Sequence, residues 1–149
     1  MTQRIATILA VAVLAAACNG NRSQPAQTPG PEGVIFELVG TRWALMRLGE
    51  REITIAENAR EPYIVLSSVE RGVVGHGGCN RISSTFQSTG HKLSFGEVIS
   101  TRMFCEDMPT ESALLEVLKA TAGWRISGSQ LQLLGSNQQP LATFEARNL

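Results

Sequence analysis

The sequence carries no surplus of charge: 13 Lys and Arg stand against 13 Asp and Glu, interspersed along the chain. That sets aside nucleic acid as a partner, because neutralising phosphates takes a basic stripe that this pattern does not supply. Histidine is scarce too. His76 and His91 are the only two, and they form no helical H-x-x-x-H pair, which excludes a metalloprotease-type zinc site. No G-x-S-x-G, C-x-x-C or Cys/His nucleophile signature is present. Also missing is an apolar run of about 20 residues, the length a spanning helix needs. Cysteine is limited to Cys18, Cys79 and Cys105, an odd count that asks what becomes of the leftover thiol.

The N-terminal segment accounts for one of them. Met1 to Arg4 is a short positive region, and Ile5 to Ala17 is an apolar run of about 13 residues, which fits a signal peptide over residues 1–17. Leu14-Ala-Ala-Ala-Cys18 is similar to the bacterial lipobox, in which small residues precede a cysteine that receives diacylglycerol before cleavage. The similarity implies lipid attachment at Cys18, and a membrane partner reached through it. Each buried CH₂ contributes ~0.8 kcal/mol, so two or three acyl chains anchor where one would not. An ordinary secretory signal with a free Cys18 is the alternative. Asn19 takes the place of the aspartate that retains enterobacterial lipoproteins at the inner membrane, so the expected location is the outer membrane, facing the periplasm. Residues 18–33 are rich in Pro, Gly, Gln and Asn, lack apolar periodicity, and read as a tether with a reach of roughly 20 Å.

About 115 residues remain, enough for one domain with one core. From Val34 the pattern is mostly strand-like. Strands are expected at 42–48, 63–69, 71–76, 83–87, 92–95, 124–127, 131–134 and 141–145. One segment breaks the period of two: Asp107 to Ala122 places Glu111, Leu114, Leu115, Leu118 and Ala122 on one helical stripe. Asp107 or Thr110 is a candidate N-cap, Pro109 suits the first turn, and Gly123 closes the segment. One helix among many short strands implies an α+β domain, the helix covering a curled antiparallel sheet. Trp43, Leu93, Phe95, Leu114, Leu118, Trp124 and Ile126 are expected to share its core.

Few residues suggest chemistry. His76, Cys79, His91 and Cys105 could supply four zinc ligands, but their spacings are irregular, and no metal or other cofactor is expected. Gly75-His-Gly-Gly-Cys79-Asn80 lacks the Lys-Ser/Thr and the helix of a phosphate cradle, so it reads as a tight bend where glycine permits unusual φ or close backbone approach. Glu97, Glu106, Asp107, Glu111 and Glu116 are expected to be mostly solvated charge. Arg81 and Arg102 are expected to order loops rather than bind an anion.

Gly40-Thr-Arg-Trp43-Ala-Leu45, Gly75-His-Gly-Gly78-Cys79-Asn80-Arg81, Ser100-Thr101-Arg102-Met103-Phe104-Cys105, and Leu131-Gln-Leu133 with Phe144 resemble, in order, the signature blocks of the META/HslJ domain family. The resemblance implies an α+β fold with a mostly antiparallel, partly barrel-like sheet and one packed helix. It also implies an envelope lipoprotein linked to stress or antibiotic tolerance, and it supplies no catalytic residues. The function expected is a non-enzymatic binding module for an envelope protein or a small apolar ligand. A pilotin-like assembly accessory and an envelope enzyme are the alternatives. With Cys18 consumed by lipid, Cys79 and Cys105 form an even pair in an oxidising compartment, one in each of the two most specific blocks. A disulfide between them is expected, two separate buried thiols being the alternative.

Overall fold

A computed structural model describes residues 35–55, 59–103, 105 and 108–147. The leader, Cys18, the tether, Phe104, Glu106 and the candidate cap Asp107 lie outside the described residues. Among the described residues, ten strands and one α-helix follow one another as β1 (Arg42–Leu48), β2 (Arg51–Glu52), β3 (Tyr63–Leu66), β4 (Gly72–His76), β5 (Arg81–Thr89), β6 (Lys92–Phe95), β7 (Ile99–Ser100), α1 (Met108–Ala120), β8 (Gly123–Ser127), β9 (Gln130–Leu134) and β10 (Pro140–Arg147).

The strands form one antiparallel sheet in the order β10-β9-β8-β6-β5-β4-β3-β1-β2, with β7 pairing to β5 off this path, and β10 also pairs with β1, which bends the order into a ring. The β1–β10 seam is long, from Arg42 opposite Arg147 to Leu48 opposite Ala142, with a bulge between Leu45 and Arg47. The β6–β8 seam is a single pair, Lys92 opposite Gly123, extended by Trp124 N–H donating to the His91 carbonyl at 3.0 Å. The ring is therefore continuous without being an evenly laddered barrel. Pro140 sits at the first position of β10, where its missing N–H costs the ladder least. Gly128 begins the two-residue loop joining β8 to β9 with φ +58°, a value that costs glycine little.

Period-two alternation sends one side chain of each pair inward. Trp43 and Leu45, Ile64 and Leu66, Ile82 and Phe86, Leu131 and Leu133, and Phe144 build the core from the ring's inner face. The Trp43 indole is fully buried and donates to the Leu38 carbonyl at 3.1 Å, so the one polar atom it brings into the core is satisfied. The helix packs against β1, β6 and β10. Because β6 lies across the ring from β1 and β10, α1 spans one side of the barrel-like enclosure and closes it, with Leu114 and Leu118 fully buried.

Several expectations shift in the structure. Val69–Arg71 form a 3-10 turn with Glu70 and Arg71 at positive φ, so β3 stops at Leu66 and β4 starts at Gly72. The chain must reverse there, and no core lies within reach of the exposed Val69. The two-residue strands β2 and β7 leave no periodic trace in the sequence. Phe95, Trp124 and Ile126 are half-buried against the core rather than inside it. The Trp124 indole donates outward to the Gly90 carbonyl at 3.1 Å. The helix is shorter than Asp107–Ala122: it ends at Ala120, Ala122 is exposed, and Gly123 opens β8. Thr110 lies within the helix instead of capping it. The helix's packing generates a quantitative expectation. Leu118→Ala should cost about 2–5 kcal/mol, read as a lowered urea midpoint, whereas the exposed Lys119→Ala should change stability by no more than about 0.5 kcal/mol. An unchanged midpoint for Leu118→Ala would put the buried helix face elsewhere.

Candidate functional site

The glycine-rich bend between β4 and β5 is buried from Gly75 to Asn80, and it is laced to itself. Gly77 N–H donates to the Asn80 carbonyl at 2.8 Å, and Gly78 N–H donates to His76 Nδ1 at 3.1 Å. A Cβ on Gly77 would lie 2.5 Å from Glu111 Cγ. Only glycine there lets the carboxylate of α1 come this close.

Glu111 is 3% exposed, and its carboxylate accepts three hydrogen bonds: from Asn80 N–H at 2.6 Å, Asn80 Nδ2 at 3.0 Å and Ser100 Oγ at 2.8 Å. The Asn80 amide uses its remaining capacity on the segment after β7. Its Oδ1 accepts from Thr101 Oγ1 at 2.9 Å and Met103 N–H at 2.7 Å, and its Nδ2 donates to the Met103 carbonyl at 3.0 Å. Beside this knot a disulfide joins Cys79 to Cys105, with Cα atoms 5.9 Å apart. For a separation of 26 residues the chain-entropy model assigns such a cross-link about 3–4 kcal/mol.

Of the signature residues, Gly78, Cys79, Asn80, Ser100, Thr101, Met103 and Cys105 thus come together around one bend, while Trp43 serves the core. Glu111 corrects the expectation of solvated carboxylates, since its place on the buried helical stripe outweighs its charge once three donors meet it. The zinc-set residues do not assemble: the two sulfurs are bonded to each other, and His91 lies at the β5–β6 hairpin beside Trp124, ring centroids 5.9 Å apart.

The outward face of the same strands carries a groove of about 770 Å³. Pairing register builds it. Arg42, Val65, Val74, Ser83 and Ile99 form one cross-strand row from β1 to β7. Tyr63, His76 and Arg81 form part of the next. The Arg42 guanidinium lies 3.9 Å over the Tyr63 ring and donates to Glu61 at 3.2 Å, which Arg147 also reaches at 3.5 Å. Arg42 Nε is buried without a hydrogen-bond partner among the described residues. Arg60 and Arg81 are exposed on the groove's walls, which gives Arg81 a place at an open site rather than only a loop-ordering one. Arg102 is exposed along a neighbouring cleft that reaches the Asn80–Glu111 knot. A separate apolar cleft of about 550 Å³ runs between Phe36 and Trp124.

His76, 5% exposed, floors the arginine groove. Burial pushes its pKa below the ordinary 6.5, and the positive charges of Arg60 and Arg81 push the same way against Glu111. The groove residues Arg42, Arg60, Glu61 and Tyr63 escaped notice in the sequence. Alternation in β3 signals only that Tyr63 shares a face with Val65, and not which strands flank it.

Residues 36–148 match the META domain. Among solved structures, the chain is similar to a Burkholderia xenovorans protein determined by NMR, at 26% identity and TM-score 0.61, covering 83% of this chain and 99% of that one. It is also similar to a second NMR structure at 22% identity and TM-score 0.56, covering 70% and 87%. A third similarity is to a DUF4847 family protein from Bacteroides vulgatus, at 12% identity and TM-score 0.54, covering 75% and 96%. The latter two likenesses concern the fold. No curated protein matches the chain significantly.

Two expectations follow from the knot and from His76. Glu111→Ala leaves the buried Asn80 N–H and one Asn80 Nδ2 hydrogen unmatched, Ser100 Oγ keeping the Thr101 carbonyl at 3.0 Å, and should cost at least about 2 kcal/mol, with Glu111→Gln losing less because one acceptor oxygen remains; equal urea midpoints for wild type and Glu111→Ala would refute the knot's contribution. For His76 the folded pKa lies below the unfolded one, so its contribution to stability is full above the ordinary 6.5. As pH falls below that value the unfolded chain takes up the proton first, and stability declines. His76→Gln should remove this component of the loss between about pH 7.5 and 5.5. Identical pH slopes for the two proteins would sink the assignment.

Proposed function

Because the chain belongs to the META domain family, and because Asn80, Ser100 and Thr101 of its most specific blocks are committed to a hydrogen-bonded knot, we propose that it is a lipid-anchored, non-enzymatic envelope protein whose domain binds a ligand in the arginine groove. The observation that carries this reading is the contrast between the bend after β4 and the outward face of β3, β4 and β5. Inside, Asn80, Glu111 and Ser100 satisfy one another, and both sulfurs are bonded. Acid–base or nucleophilic chemistry needs groups that converge on a reacting atom and remain free to act on it. Outside, Arg42, Arg60, Arg81, Tyr63 and His76 line an open groove, and arginine and tyrosine are the residue types that concentrate binding energy at interfaces. The lipobox-like segment ending at Cys18 supplies the anchor and, with Asn19, an outer-membrane location facing the periplasm. A role in stress or antibiotic tolerance follows by analogy with the family.

One experiment tests anchor and groove together. A photo-crosslinking amino acid at Ser83, in the groove, or at Lys119, outside it, is introduced into the wild type and into Cys18→Ala, in cells fed labelled palmitate. Expected are label only with Cys18 intact, and an adduct from position 83 of the anchored protein that position 119 does not give. Label persisting in Cys18→Ala would overturn the anchor, and identical or absent adducts at both positions would overturn the groove.

A further inference from the structure

The row Arg42–Val65–Val74–Ser83–Ile99 crosses five strands, hence four inter-strand steps. At about 4.8 Å per step it spans roughly 19 Å, the length of about six residues of extended polypeptide. Two aliphatic side chains on this row are exposed to a degree that a buried sheet face would not leave: Val74 is 56% exposed and Ile99 63%. Sites for small molecules enclose most of their ligand's surface, whereas this floor is open along its length and suits a chain laid across it. Among the described residues, the charged side chains lining it are Arg42, Arg60 and Arg81 against Glu61, and Glu61 is engaged by Arg42 and Arg147. Burial is the main cause of the depressed His76 pKa, and Arg60 and Arg81 add to it against Glu111.

Deepening the groove reading above and resting on it, we infer that the occupant is an extended, acidic peptide segment of a partner protein, its carboxylates meeting Arg42, Arg60 and Arg81 and its aliphatic side chains packing on Val74 and Ile99. Arginine forks suit carboxylates because two parallel N–H groups meet two oxygens. A segment carrying both acidic and aliphatic residues complements the two kinds of group the groove offers, the guanidiniums of Arg42, Arg60 and Arg81 and the exposed aliphatic side chains of Val74 and Ile99.

The test is fluorescence anisotropy of labelled hexapeptides titrated with the full chain in detergent micelles, one peptide alternating glutamate with valine and the other lysine with valine. The acidic peptide should bind and the basic one should not, and raising salt from about 50 to about 300 mM should weaken binding. Arg60→Glu combined with Arg81→Glu should lower affinity for the acidic peptide about tenfold or more and create affinity for the basic one. Both arginines are exposed, so the double variant should melt like the wild type; the salt response of the wild type gives an independent readout should it not. Equal binding of both peptides, or binding of neither, overturns the inference. Binding of inorganic phosphate or of phosphatidylglycerol vesicles, dependent on the same arginines and without peptide binding, also overturns the peptide assignment while leaving the groove a ligand site. An empty crosslinking result at Ser83 would remove the groove reading itself.

Discussion

The architecture turns on one buried carboxylate. Glu111 reaches from α1 into the bend after β4 and takes hydrogen bonds from the Asn80 backbone, the Asn80 amide and Ser100. An ionised group in such a place is costly unless donors replace the water it has lost, and here three do. The arrangement ties together a helix, a bend and the segment after β7, none of which is held there by sheet pairing alone. The disulfide between Cys79 and Cys105 joins the bend to the same approach, so a covalent link and a polar one act on the same loops.

The knot lies behind the bend at the end of β4, the groove lies on the outward face beside it, and Ser100 and Thr101 belong to both. His76 ends β4, floors the groove and accepts from Gly78 of the bend. Arg81 begins β5 immediately after Asn80, and its backbone N–H donates to Thr101 at 3.2 Å. The groove walls at Arg81 and Ser100–Thr101 are thus positioned by the polar network beside them. Such preorganisation would reduce the ordering cost of the binding proposed for the groove.

Much of the fold was legible because strand alternation and the helical stripe are local patterns. β1 and β6 fall at the expected residues, and the stripe through Leu114 and Leu118 is the buried face. What misled was also local. Glu111 was read by its charge rather than by its position on that stripe. Val69 was read by its apolarity, although the chain turns there. The two residues of β7 are too few to carry a period, yet they carry Ile99 and Ser100 to the groove and the knot.

The sequence by itself determined the one-helix α+β class, the inward-facing residues of most strands, and the gathering of chemically specific residues in two short blocks, because each depends on neighbours within a few positions. Cysteine arithmetic made a Cys79–Cys105 bond an expectation with two separate thiols as the alternative, and the structure joins them. Only tertiary structure decided that the blocks meet through Glu111, since that contact joins residues 31 apart. It alone decided that Arg42, Arg60 and Arg81 share one groove, because strand order and register place them together. Strand order is set by closure of the whole ring, with β10 returning to β1 across nearly the full length of the domain, and no local window of the chain contains that information.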